Sequence, residues 1–188
     1  MKKITLFFLI LTGLLLVTKS AHAENVAGHS ATLNLAVLPL NSQTIRDNEL
    51  IKKKAAIQAV LEHNHSPLAN STGAFIDACK TYDLDCYLLP AISGLESTYG
   101  QFILPGSYNP FGWGGGRIYF KSWDDGIMTV GRGLRMRYIN SGANTIEAIG
   151  HIYSESPTWA ARVRIIMHQF EDEEQKNGLF FTPDSVKL

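Results

Sequence analysis

The stretch Leu88–Trp113, LLPAISGLESTYGQFILPGSYNPFGW, joins an apolar segment to an irregular, aromatic one. In its first ten residues, apolar side chains recur at helical spacing, and the segment ends near one carboxylate, Glu96. Its second part is rich in glycine, tyrosine and phenylalanine and contains one amide, Asn109. The pattern predicts a core helix whose end places one acid beside an aromatic loop, with the rest of the chain as scaffold.

That scaffold is predicted to be mainly α, with about six helices and a short β-hairpin. Pro90 lies one turn inside the third helix and predicts a lost backbone bond there. Three glycines, 114–116, followed by Arg117–Phe120, predict a turn and one strand of the hairpin. The helices are expected at Asn48–Glu62 (capped by Asp47), Thr72–Tyr82, Cys86–Thr98, Trp123–Ile139, 146–153 after Thr145, and Pro157–Gln175.

The chain begins with the features of a secretory signal peptide. Lys2 and Lys3 precede the apolar run Ile4–Thr18, and Ala21–Ala23 has the small-residue spacing of a cleavage site. A fifteen-residue helix spans about 22 Å, less than a hydrocarbon core of about 30 Å. We therefore expect export to a periplasm or out of the cell, with cleavage near Ala23, and no membrane-spanning segment in the mature chain.

The remaining residues predict a single domain. The whole chain has 188 residues, 45% apolar and 18% charged, which suits one globular core. Residues 24–46 lack helical periodicity and are expected to form an extended arm, residues 47–176 the domain, and residues 177–188 a loose tail. We expect a monomer.

Charge argues against nucleic acid as a partner. Loss of residues 1–23 would remove three lysines, leaving 14 basic and 17 acidic residues and a net charge of −3. Such a chain has no general attraction for phosphate backbones. His63 and His65 form an isolated pair without a third ligand, so no metal site is predicted, and no cofactor.

Cys79 and Cys86 lie seven residues apart. Export favours a disulfide between them, which would close a short loop. Two buried thiols are the alternative. The spacing is not C-x-x-C, so a redox or zinc site is not indicated.

Glu96 suits the general acid of a glycosidase. Glycoside cleavage requires a protonated carboxyl beside the leaving oxygen. A helix C-terminus and apolar neighbours would both raise the pKa of a glutamate there. A solvated surface glutamate is the competing interpretation, so Glu96 gains weight only from the residues around it.

Three elements resemble the glucosaminidase family of the lysozyme-like superfamily, a mannosyl-glycoprotein endo-β-N-acetylglucosaminidase-like domain related to the lytic transglycosylases. The first is Glu96–Gly100, ESTYG, similar to the family's E-S-x-x-G at the end of an apolar helix. The second is Asn109–Gly112, NPFG, similar to N-x-F-G. The third is Tyr153–Ala160, YSESPTWA, similar to Y-A-x-D-P-x-Y-A.

The resemblance implies an α+β lysozyme-like fold and a peptidoglycan-cleaving hydrolase. Peptidoglycan, or another N-acetylglucosamine-containing glycan, would be its substrate. The implied roles are a general acid for Glu96 and a cleft residue near the scissile bond for Tyr153. Asn109, Phe111 and Gly112 would shape the loop that binds the N-acetyl sugar, and Tyr99 and Trp113 could stack on sugar faces.

The chain departs from the family in lacking a second acid in the hairpin region. Residues 100–121 contain no Asp or Glu; the nearest later acids are Asp124 and Asp125, followed by Glu147 and Glu155. Asp125 is better explained as a helix cap. Two-carboxylate mechanisms are therefore unsupported. A lytic transglycosylase, which forms 1,6-anhydro ends, and a non-catalytic glycan-binding protein stay open as alternatives.

Overall fold

The computed structural model describes residues 42–180, the last two by backbone alone. This part of the chain is mainly helical, with six α-helices. They are α1 (Ser42–His63), α2 (Thr72–Tyr82), α3 (Leu88–Ser97), α4 (Trp123–Gly133), α5 (Ile146–Tyr153) and α6 (Trp159–Phe180). A 3-10 turn, Ala69–Ser71, precedes α2. After α4 the helix continues as a π-helical turn, Leu134–Tyr138, and a 3-10 turn, Ile139–Ser141.

Helix α6 packs against α1, α3 and α5, and α2 packs against α1 and α4. Phe170 of α6 is fully buried; its ring stacks on Tyr87 and meets Tyr99 edge-on. The core therefore forms where α3 and α6 meet, and the C-terminal end of α3 is held between α6 and the loop that follows.

No strand forms within residues 42–180, so the predicted hairpin is wrong for this region. Gly114, Gly115 and Gly116 all have positive φ and curl the chain into successive turns. The carbonyl of Ile118, which a strand partner would need, instead accepts a hydrogen bond from the Asn109 side chain. The region is thus an irregular loop of successive turns, stabilised by the side chain of Asn109.

Helix α1 begins at Ser42, inside the segment predicted as an arm. Asp47 was predicted to cap this helix but lies within it, where its carboxylate accepts a hydrogen bond from Gln43. Most residues of this first part are exposed, which explains why the hydrophobic pattern begins only near Leu50.

Helix α3 begins at Leu88, two residues later than predicted. The Asp85 carboxylate accepts from the backbone N–H of Tyr87, just before the helix. Pro90 therefore falls in the first turn, where a backbone N–H has no helical partner in any case. The predicted loss of a helical hydrogen bond at Pro90 does not occur.

Caps fix the later helices. Ser122 accepts from the N–H of Asp125, and the Asp125 carboxylate accepts from the N–H of Lys121, so Asp125 closes the start of α4 as predicted. Thr145 accepts from the N–H of Ala148 and caps α5.

Helix α6 begins at Trp159, after a turn at Ser156 and Pro157, rather than at Pro157. It continues to Phe180, into the predicted tail. The expected signal peptide (1–23), most of the arm (24–41) and the rest of the tail (181–188) lie outside the described residues. In residues 42–180 we find no helix long and apolar enough to cross a membrane.

Cys79 of α2 and Cys86, just before α3, form a disulfide. Asp83 between them has a φ of 48°, so the chain reverses sharply over this loop. The bond ties the end of α2 to the start of α3, the helix that carries Glu96.

We predict that replacing both cysteines by serine lowers the free energy of unfolding by about 2–3 kcal/mol, because a closed loop of about eight residues loses its cross-link in the unfolded state. Urea unfolding of the two proteins measures the difference. Reductant should destabilise the wild type and leave the double variant unchanged; equal sensitivity of both proteins would contradict the prediction.

Candidate functional site

The C-terminal end of α3 is shaped by consecutive left-handed residues. Thr98, Tyr99 and Gly100 have φ values of 50°, 56° and 83°. Such angles are costly for residues other than glycine and asparagine, so the surrounding contacts must hold the backbone in this conformation. Helix α3 therefore stops abruptly, and Glu96 lies in its last turn rather than inside a longer helix.

Ser97 is the contact that joins this helix end to the aromatic loop. Its hydroxyl is buried and lies 2.7 Å from the carbonyl of Pro110 and 3.0 Å from that of Ser93. It also accepts a hydrogen bond of 2.8 Å from the N–H of Gly100. One hydroxyl therefore connects the helix, its terminating turn and the loop at Pro110.

Asn109 holds the loop from inside. Its buried side-chain amide donates to the carbonyls of Trp113 and Ile118, at 2.9 and 3.1 Å. The amide oxygen accepts from the N–H of Trp113 at 3.0 Å. Because the protein already uses both the NH₂ group and the oxygen, Asn109 shapes the loop, as the resemblance implies, rather than presenting its amide to a ligand.

Glu96 is exposed and is oriented by a single side-chain donor. The indole N–H of Trp159 donates to Glu96 Oε1 at 2.8 Å. The other oxygen, Oε2, faces Gly112: a Cβ there would lie 3.4 Å from it. The expected burial of Glu96 among apolar neighbours is wrong. The carboxylate is open to solvent on one side and held against Trp159 and Gly112 on the other.

Three further aromatic rings continue from Trp159. Its ring stacks on Tyr153 with centroids 4.9 Å apart. Tyr153 lies 5.8 Å from Trp113 and 6.2 Å from Tyr138, and the last two lie 5.9 Å from each other. We call these four rings the aromatic row. It draws together α5, α6, the π-helical turn and the loop, with Glu96 at the Trp159 end.

The Tyr153 hydroxyl lies at the centre of this arrangement. It donates to the carbonyl of Phe111 at 2.6 Å. Burial raises the pKa of Tyr153 well above its usual value, and the nearby negative charge of Glu96 and the Tyr138 hydroxyl raise it further. Tyr153 therefore stays neutral and is close enough to sense the charge of Glu96.

Two predicted contact residues point away from any ligand. Phe111 is fully buried in the core, so its side chain cannot touch a substrate. Tyr99 is also buried, with its ring against Gly94 and Phe170. Gly112 is exposed, and Trp113 is half-buried. The structure thus brings Glu96, Tyr153, Gly112 and Trp113 together and assigns Tyr99 and Phe111 to the core.

Sequence reasoning missed the partners of Glu96 and of the loop. Trp159 is a core residue whose indole N–H reaches Glu96, and its place in the Tyr153–Ala160 element was the available signal. Ser97 is the second residue of the ESTYG element, yet nothing in the pattern showed which groups its hydroxyl would join.

Two of the other candidate acids have partners of their own. Asp125 caps α4, and Glu147 forms an ion pair with Arg164. Within residues 42–180, no group of three His, Cys, Asp or Glu side chains is arranged to hold a metal ion. Glu96 is therefore the carboxylate that the aromatic row and the loop together surround.

No protein-family model matches this chain, and no curated protein matches it in sequence.

We predict that Ser97→Ala lowers the free energy of unfolding by about 1–3 kcal/mol, because the buried N–H of Gly100 and carbonyl of Pro110 lose their partner. Chemical denaturation measures this. Ser154→Ala, at a side chain farther from the core, is the control. A loss no greater than that of the control would show that Ser97 does not fasten the loop.

We predict that Tyr99→Phe reduces the loss of stability between pH 10 and 12. Burial raises the pKa of Tyr99 to about 12, whereas it is 10.0 in the unfolded chain. The neutral Tyr99 contributes fully to the free energy of unfolding below pH 10. As pH rises toward 12 the unfolded chain ionises first, and this free energy falls by up to roughly 2 kcal/mol. Unfolding measured at each pH tests this; parallel curves for both proteins would contradict it.

Proposed function

We propose that this chain is an exported hydrolase of peptidoglycan glycan strands, similar to endo-β-N-acetylglucosaminidases, with Glu96 as general acid. The observation that carries the proposal is the setting of Glu96: an exposed carboxylate held by Trp159, facing the loop glycine Gly112, with the neutral hydroxyl of Tyr153 nearby.

The spatial arrangement of the three sequence elements supports this. Ser97, in the ESTYG element, forms a hydrogen bond with the carbonyl of Pro110 in the NPFG element. Tyr153, in the YSESPTWA element, donates to the carbonyl of Phe111, also in NPFG. Trp159, also in YSESPTWA, donates to Glu96 in ESTYG. Elements far apart in the chain meet around one carboxylate, as a lysozyme-like catalytic domain requires. We propose that fold assignment with the function.

The proposed chemistry begins with proton donation. Glu96 gives its proton to the glycosidic oxygen while the bond from the sugar carbon to that oxygen breaks. The N-acetyl oxygen of the substrate then attacks the cationic carbon. Water opens the resulting ring, and Glu96 takes a proton from that water. The Tyr153 hydroxyl donates its hydrogen bond to the Phe111 carbonyl, and its lone pairs can accept a hydrogen bond that orients a substrate group.

A lytic transglycosylase is the second candidate, and the single carboxylate favours it. Asp125 and Glu147 have their own partners, so an enzyme here would use Glu96 first as acid and then as base. In that route the 6-hydroxyl of the muramyl sugar attacks in place of water, losing its proton to Glu96, and the product has a 1,6-anhydro end.

We predict that Glu96→Gln reduces the release of soluble fragments from peptidoglycan by at least about 100-fold, because general acid catalysis is lost. A glutamine can still accept from Trp159, so the fold should persist. The matched control is Asp77→Asn, which removes one exposed carboxylate on α2.

Equal activity of Glu96→Gln and the control would refute the role of Glu96. An inactive wild type that still binds peptidoglycan would support the non-catalytic alternative. Mass spectrometry of the fragments separates the two reactions: reducing ends indicate hydrolysis, and 1,6-anhydro ends indicate transglycosylation.

A further inference from the structure

A cavity of about 310 Å³ opens beside Trp113, at the end of the aromatic row away from Glu96. Gly133 forms part of its wall, and a Cβ there would lie 2.5 Å from the Trp113 ring, so the indole lies directly on the helix backbone. The cavity is lined by Trp113, Thr129, Arg132, Gly133, Met136 and Arg137. We call it the arginine cavity.

Two exposed arginines of this cavity lack a counter-ion. Within residues 42–180, neither Arg132 nor Arg137 forms an ion pair or a side-chain hydrogen bond. Arg135, between them in sequence, differs: it pairs with Asp83 and donates to the carbonyl of Tyr82. Since the rest of the domain carries more acidic than basic residues, two unpaired guanidinium groups in one cavity form a local site for an anion.

The π-helical turn explains how these side chains share one cavity. Residues five apart are separated by about 1.4 turns of an α-helix and would diverge. In Leu134–Tyr138 the bonding is of the i to i+5 kind, so five residues make about one turn and Arg137 comes back toward the side of Arg132. Such turns are frequent at functional sites.

The arginine cavity lies next to the aromatic row. The positive charge of Arg137 lowers the pKa of Tyr138, against the larger effect of burial, which raises it. The Tyr138 ring contacts both Trp113 and Tyr153. Trp113 lines the cavity, so the aromatic row and the two arginines adjoin.

We propose that Arg132 and Arg137 bind a carboxylate of the peptide carried by the glycan strand. The inference rests on the function proposed for Glu96. Where the muramyl sugar carries a peptide, its lactyl carboxyl group is an amide, so the carboxylates of a substituted strand are those of the peptide. Guanidinium groups match carboxylates in shape and charge, and Trp113 offers the apolar surface beside them.

Binding is measured in the Glu96→Gln protein, which leaves the probe intact. The probe is a disaccharide of N-acetylglucosamine and N-acetylmuramic acid bearing a tetrapeptide, used as such and with its carboxyl groups converted to amides. When Arg132→Gln and Arg137→Gln are added to this protein, the Kd for the charged probe should rise about tenfold, and the Kd for the amidated probe should stay unchanged. Adding Lys52→Gln and Lys54→Gln instead removes two exposed charges from α1 and is the matched control.

Replacement of both arginines by lysine keeps the charge and should restore part of the affinity. An equal Kd for the arginine and control variants would overturn the inference, even where Glu96→Gln abolishes cleavage. Stronger displacement of the charged probe by inorganic phosphate than by acetate would also overturn it and indicate a phosphate-bearing polymer. Charge-dependent binding by a wild type that cleaves no glycan would sustain the arginine site and refute the hydrolase.

Discussion

The buried hydroxyl of Ser97 is the contact on which the candidate site depends. It has one proton to donate and accepts the N–H of Gly100, so it satisfies groups from the turn and the loop at once. An apolar side chain of the same size would leave both buried groups without a partner. The left-handed run from Thr98 to Gly100 is held by this contact and by the backbone bonds around it, and that run ends α3 at the residue after Glu96.

How much of this could be predicted depends on whether the signal was local. Short-range patterns predict the helix Thr72–Tyr82 and the caps Asp125 and Thr145, and the structure confirms them. The prediction of a hairpin at 114–120 was wrong because a turn signal does not reveal that the Asn109 side chain donates hydrogen bonds to the backbone carbonyls nearby.

The candidate site could be predicted only in part. Glu96, Asn109 and Tyr153 were found from motifs, whereas Tyr99 and Phe111 belong to the core, because an aromatic residue in a motif can face either way. The partnership of Trp159 with Glu96 joins residues 63 positions apart, and only the packing of α6 on α3 creates it. The sequence pattern does not show that the indole N–H of the buried Trp159 reaches the carboxylate.

The exposure of Glu96 constrains how it could act as an acid. One side of the Glu96 carboxyl group is in contact with solvent, so the protein alone does not enclose it. A bound glycan lying along the aromatic row would cover the open side of Glu96 and exclude water there. Substrate and protein would then complete the acid site together, with Trp159 fixing one oxygen and the sugar meeting the other. In that arrangement, contacts far from the scissile bond, including those at the arginine cavity, would help to hold the glycan over Glu96 and so contribute to catalysis.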